Sequence, residues 1–136
     1  MRSTANATFQ IKRWDEAPYY EAAGEAKLTK ANVALTYEGQ IEGAGLADYL
    51  MAYPEQSDAS YVGIERVSGK LGGRSGSFVL QYAGTADQNG TIRATFFVVP
   101  GSGTGELNGL RGEGNLLLEG QAERYPITLA YDLEEK

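Results

Sequence analysis

The chain contains no cysteine and no histidine. The first absence excludes disulfides, thiolate nucleophiles and cysteine-bound zinc or iron–sulfur centres. The second removes the commonest general base, the triads built on imidazole and nearly every transition-metal site. No metal and no cofactor are therefore expected, and any chemistry falls to carboxylates, tyrosines, Lys, Arg, Ser/Thr or backbone amides. No run approaches the roughly 20 apolar residues of a membrane helix, and the opening residues Met1–Thr8 lack the apolar core of a signal peptide. A cytoplasmic protein without membrane contact is expected, in which the sequons at Asn6 and Asn89 are chance matches. Basic residues are few: 12 Lys and Arg against 18 Asp and Glu leave a net charge of −6. They form no cluster along the chain, so nucleic acid is not an expected partner.

What is present points to a folded β protein. A chain of 136 residues, 42% apolar and 22% charged, suits one domain, residues 1–136, with one core. Glycine is abundant, 18 of 136, and separates short runs rich in Val, Ile, Thr, Tyr and Phe. The last run is the clearest strand. Tyr125, Ile127, Leu129, Tyr131 and Leu133 alternate with Pro126, Thr128, Ala130 and Asp132, a period of two that a helix cannot use. Further strands are predicted at Thr8–Asp15, Lys27–Glu38, Ile41–Tyr53, Ser60–Gly69, Arg74–Thr85, Thr91–Val99 and Glu113–Glu119. A connection over Pro18–Gly24 follows the first. Hairpin follows hairpin, which predicts an all-β, eight-stranded antiparallel meander, closed into a lipocalin-like barrel because closure removes sticky edges.

Two turns set a register. Gly72-Gly73 and Asn89-Gly90 both accept the positive φ of a two-residue hairpin turn. The first would pair Val67 with Phe78, Glu65 with Leu80 and Gly63 with Tyr82. Tyr61, Glu65, Val67, Phe78, Leu80 and Tyr82 then share one face, and the same parity carried through Asn89-Gly90 adds Thr95, Phe97 and Val99. This aromatic face with one acid is assigned to the interior.

Two stretches are distinctive: Gly63-Ile64-Glu65-Arg66-Val67 leading into Gly73-Arg74-Ser75-Gly76-Ser77-Phe78-Val79-Leu80-Gln81, and the glycine-rich run Pro100–Gly114. With Trp14, Ile41-Glu42-Gly43, Tyr49–Tyr53 and Tyr131-Asp132, they closely resemble the bacterial family catalogued as domain of unknown function 3224. That family is grouped by fold with the allene oxide cyclase-like barrels. The resemblance implies eight strands around a central cavity and leaves the activity open, because one fold hosts many functions. Where family members often carry His after the Gln of this motif, this chain has Tyr82, so any role built on imidazole is lost.

Glu65 is the sharpest candidate. A carboxylate inside an aromatic barrel has its pKa raised by desolvation and can serve as acid or base. The competing expectations are an ion pair with Lys27 or Arg93, or a one-residue slip that sends it to solvent. Tyr61 and Tyr82 are the phenols first chosen to line a pocket, with Phe78, Leu80 and Phe97 beside them, and Tyr82 joins Glu65 as a catalytic candidate. Trp14, at the end of the first strand, is expected to cap one mouth, with packing preferred to ligand contact as its role. The run from Gly101 to Gly114 fits neither a dinucleotide fingerprint nor a P-loop, so a structural turn is preferred to a phosphate site. Leu116-Leu117-Leu118 is apolar on both faces, which suggests an outer face covered by another segment or subunit and makes self-association a third reading. The leading expectation is a barrel that binds a small apolar molecule. The alternative is a cofactor-free cyclase or isomerase that confines a hydrophobic substrate while Glu65 or a tyrosine moves a proton.

Overall fold

The structure, a computed structural model, describes residues 2–120 and 122–133. Eight strands follow one another around a closed barrel: β1 Ser3–Tyr20, β2 Lys27–Gly39, β3 Ile41–Tyr53, β4 Ala59–Leu71, β5 Arg74–Ala86, β6 Ile92–Val98, β7 Leu110–Leu118 and β8 Tyr125–Leu133. Every neighbouring pair is antiparallel, and β1 closes the ring by pairing with both β2 and β8. Alternation drives this closure. Along β2, Thr29, Ala31, Val33, Leu35 and Tyr37 are buried while the residues between them are not, so one face of each strand packs inward. No helix among the described residues is long and apolar enough to cross a membrane.

The Gly72-Gly73 turn behaves as its sequence predicts, with φ of +57° and +84° and Leu71 opposite Arg74. Val67, Glu65 and Gly63 consequently face Phe78, Leu80 and Tyr82. The Asn89-Gly90 turn does not. There Ala86 pairs with Ile92, and the Asp87 carboxylate accepts the N–H groups of Asn89 and Thr91 at 2.9 and 3.0 Å, making a five-residue loop. The odd count reverses the parity of β6. Ala94, Phe96 and Val98 are buried, and Phe97, expected inside, is on the outer surface with Thr95.

β1 is longer than its pattern suggested. Its pairing with β2 shifts between Ile11 and Arg13, a bulge that leaves Lys12 extra, and again between Pro18 and Tyr20. Before the first bulge Phe9 lies opposite Tyr37; after it Trp14 lies opposite Val33 and Glu16 opposite Ala31, so even-numbered residues take over the inner face. Pro18, expected in a connection, is still in the strand opposite Thr29.

The two ends of the barrel differ. At one end β6 stops and the glycine-rich run continues along β5. Ser102 Oγ accepts the Val79 N–H at 3.0 Å, Thr104 Oγ1 accepts that of Ser77 at 3.0 Å, and the Glu106 carboxylate accepts that of Ser75 at 2.9 Å. A single 3-10 turn, Gly105–Leu107, then seats Leu107 in the core with no exposure. Leu71, Phe78, Leu107 and Leu110 pack this end solid. The other end, where the connections 21–26, 54–58 and 87–91 and residues 119, 120 and 122–124 lie, is open.

Candidate functional site

The open half of the barrel holds a cavity of about 80 Å³. Its wall is almost wholly apolar and rich in rings: Phe9 and Trp14 from β1, Tyr49 and Met51 from β3, Tyr61 from β4 and Tyr82 from β5. Tyr49 is the hub. Its ring stacks on Trp14 at 6.0 Å between centroids and meets Tyr61 and Tyr82 edge-on at 5.6 and 6.1 Å. Such offset and edge contacts suit the ring quadrupoles and fix the wall's shape.

Glu65 lies just beneath this wall with no exposed surface. Its Oε2 accepts the Tyr37 hydroxyl at 2.5 Å and its Oε1 the Tyr82 hydroxyl at 2.7 Å. Neither of the cations weighed from sequence reaches it: Lys27 Nζ sits 5.4 Å over the Tyr53 ring, and Arg93 is on the outward face of β6. Two glycines make the room. A Cβ on Gly45 would overlap Glu65 Oε2, and one on Gly63 would overlap the Tyr49 ring, so bare backbone on β3 and β4 is what lets carboxyl and phenols crowd together.

The electrostatics follow from burial. Desolvation raises the Glu65 pKa above the ordinary carboxylate value, although the bonds from Tyr37 and Tyr82 pull it back part of the way. Burial and the nearby carboxyl push the Tyr37, Tyr49 and Tyr82 phenols well above their usual value, and burial alone moves Tyr61 to about 12. The phenols therefore remain protonated donors at neutral pH. When Glu65 is ionised it accepts from both; when it is protonated its own O–H turns toward one phenol oxygen and frees that phenol's proton. Among the described residues no three His, Cys, Asp or Glu side chains gather as a metal site requires.

Of the residues singled out from sequence, Tyr61 and Tyr82 line the cavity and Glu65 supports it from below. Trp14 stands at its rim, 42% exposed. Phe78 and Leu80 are inward but belong to the solid part of the core, and Phe97 points outward, 41% exposed. Sequence reasoning missed Tyr37, Tyr49 and Met51. Their strands, β2 and β3, carry inward alternation of their own, and pairing Tyr49 with Gly63 across the β3–β4 hairpin would have placed Tyr49 on the Glu65 face.

The family model described as "Protein of unknown function (DUF3224)" matches residues 5–131. The crystal structure of a DUF3224-family protein of unknown function from Shewanella oneidensis MR-1 superposes with a TM-score of 0.81 at 29% identity, over 99% of this chain and 100% of that one. No curated protein matches the chain. With the family model spanning nearly every strand of the barrel, this chain belongs to the DUF3224 family, whose function is unknown.

Proposed function

We propose that this protein binds a small molecule by its apolar part, in the open half of the barrel. The observation that carries the reading is the contrast between the two ends: one packed solid around Phe78 and Leu107, the other keeping an apolar, ring-lined space. Such a concave apolar site with a few convergent polar groups is the usual form of a ligand pocket. Its size bounds the guest. A cavity of about 150 Å³ holds benzene, so 80 Å³ admits a short alkyl or similarly compact group, with the remainder of the molecule at the mouth. Trp14 is the chain's single tryptophan and lines this space, so its emission reports occupancy directly. Titration with 1-hexanol is expected to shift Trp14 emission saturably, and Ala86→Phe, which fills the cavity from β5, to abolish the shift while the fold is kept. An unchanged spectrum with hexanol and a series of compact alcohols would remove the proposal.

A second reading, a cofactor-free cyclase or isomerase, is favoured by one observation: a buried carboxyl held between two phenols, Tyr37 and Tyr82, both of which line the cavity. Confinement alone contributes several kcal/mol to lowering a unimolecular barrier, so few catalytic groups are needed. Glu65→Gln separates the two. Retained affinity with lost turnover of a polyene or epoxide substrate supports the enzyme; absence of turnover in both proteins supports the carrier.

A further inference from the structure

Charge is unevenly shared between the two ends of the barrel. At the sealed end Arg2, Lys70, Arg74 and Arg111 stand among a similar number of acids, and Arg2 is bound to both Glu113 and Asp132. At the open end the connections bring Glu21 and Glu25, Glu55 and Asp58, Asp87, Glu119 and Glu123. The described bases there are Lys27, Arg93 and Arg124; Arg93 is on the outward face of β6, and Arg124 lies along the outer wall on Thr8 and Glu38. The chain's negative excess therefore surrounds the opening of the apolar cavity, where it acts on whatever approaches.

Within that field one exposed carboxylate, Glu16, is held at the rim of the barrel, on β1 opposite Ala31. The bulge at Lys12 turns Glu16 inward, and three donors hold it there: Trp14 Nε1 on Oε1 at 2.9 Å, Thr29 Oγ1 on Oε2 at 2.6 Å, and the Tyr53 hydroxyl on Oε2 at 2.5 Å. A carboxylate accepts about four hydrogen bonds, so Oε1 has a site to spare. Partial burial raises its pKa, but the bonds from Thr29, Tyr53 and Trp14 and the charge of Lys27 outweigh that and hold it below the ordinary value. Glu16 is thus an ionised, immobilised acceptor flanked by the rings of Trp14 and Tyr53. The chain supplies its own example of what such a rim attracts: the Lys27 ammonium sits 5.4 Å over the Tyr53 ring.

Resting on the reading that the cavity takes an apolar group, we propose that the ligand is an organic ammonium: a compact apolar group in the well below Trp14 and Tyr49, and a cationic nitrogen at Glu16 Oε1 against the rim aromatics. An ammonium there gains a charge-assisted hydrogen bond and ring contacts, and the surrounding acids raise its local concentration. A carboxylate amphiphile of the same shape meets the same acids as repulsion.

Three probes of one length separate charge from shape: n-hexylammonium, 1-hexanol and hexanoate, each titrated against the whole protein by Trp14 emission and by calorimetry. The expected order is ammonium tightest, by about tenfold over the alcohol at low salt, with hexanoate weakest. The ammonium advantage shrinks at about 0.5 M salt, where screening is nearly complete beyond contact, and is lost in Glu16→Gln, which leaves hexanol affinity unchanged. Glu123→Gln, which removes one acid of the surrounding field and not the acceptor itself, trims the advantage far less than Glu16→Gln does. Equal binding of all three probes overturns the charge preference while leaving the cavity reading standing. Failure of all three, hexanol included, overturns the cavity reading itself. An advantage that survives Glu16→Gln overturns the placement of the nitrogen.

Discussion

Replacing Tyr82 with Phe tests the carboxyl–phenol cluster most directly. The ring stays, with its contacts to Tyr49 and Phe96, and only the hydroxyl that Glu65 Oε1 accepts at 2.7 Å is removed. Leaving a fully buried carboxyl short of one of its two donors costs about 1–3 kcal/mol, which at roughly 4 °C per kcal/mol for a domain of this size lowers Tm measurably. The pH dependence is the more decisive part. Burial sets the folded-state pKa of Glu65 above its unfolded value, near 4.3. Its contribution to stability is therefore whole below that value and is lost as pH rises through the folded pKa. Tyr82 is one of the two groups holding the folded pKa down, so Tyr82→Phe lets it climb further and enlarges the loss at neutral pH. The stability gap between wild type and Tyr82→Phe, from urea unfolding followed by circular dichroism, is expected to be wider at about pH 7.5 than at about pH 4. In a Glu65→Gln background that widening disappears. Carboxylates with lowered pKa, Glu16 and Glu113, weaken every variant alike as pH falls and cancel in the difference. A gap of the same size at both pH values, or a widening that persists without Glu65, refutes the argument.

Three further outcomes follow. Phe96→Ala is expected to destabilise by about 3–5 kcal/mol as a buried aromatic, whereas Phe97→Ala stays within about 0.5 kcal/mol; equal losses would mean the parity of β6 is wrong. Gly45→Ala forces a methyl onto Glu65 Oε2 and costs about 1–3 kcal/mol, and combining it with Glu65→Ala should recover part of that loss in a double-mutant cycle; strict additivity would show the two sites do not touch. Leu107→Ala opens a hole where the glycine-rich run seals the barrel and should cost about 2–5 kcal/mol, a loss absent from Leu117→Ala on the outer face.

How much of this was legible in the sequence depended on how each turn is built. The Gly72-Gly73 turn has no side chains to rearrange it, so two residues meant two residues, and the placement of Glu65 opposite Leu80 followed. At Asn89-Gly90 the neighbouring Asp87 captures two backbone N–H groups and widens the turn to five residues, and every inward residue of β6 shifted by one. Asp, Asn and Gly together therefore do not specify loop length, since a side-chain acceptor competes with the tight turn. The buried acid was readable because it interrupts an aromatic face. Of its partners, Tyr82 was readable through the same two-residue turn, whereas Tyr37 was not, since it comes from β2 and only the β2–β3–β4 pairing brings it near Glu65.

The extra residue in β1 lets two runs that are out of step share one wall. Phe9 and Ile11 keep odd time, Trp14 and Glu16 keep even time, and Lys12 absorbs the missed beat. Deleting Lys12 would leave Ile11 followed directly by Arg13 in its present place opposite Ala34, so the rim residues would hold their aim and the strand would merely straighten. Deleting Arg13 instead would leave Lys12 free to take that place, with the same result. Inserting a second residue beside Lys12 puts two surplus positions in the strand, and if only one of them bows outward, Trp14 and Glu16 trade sides with Arg13 and Asp15.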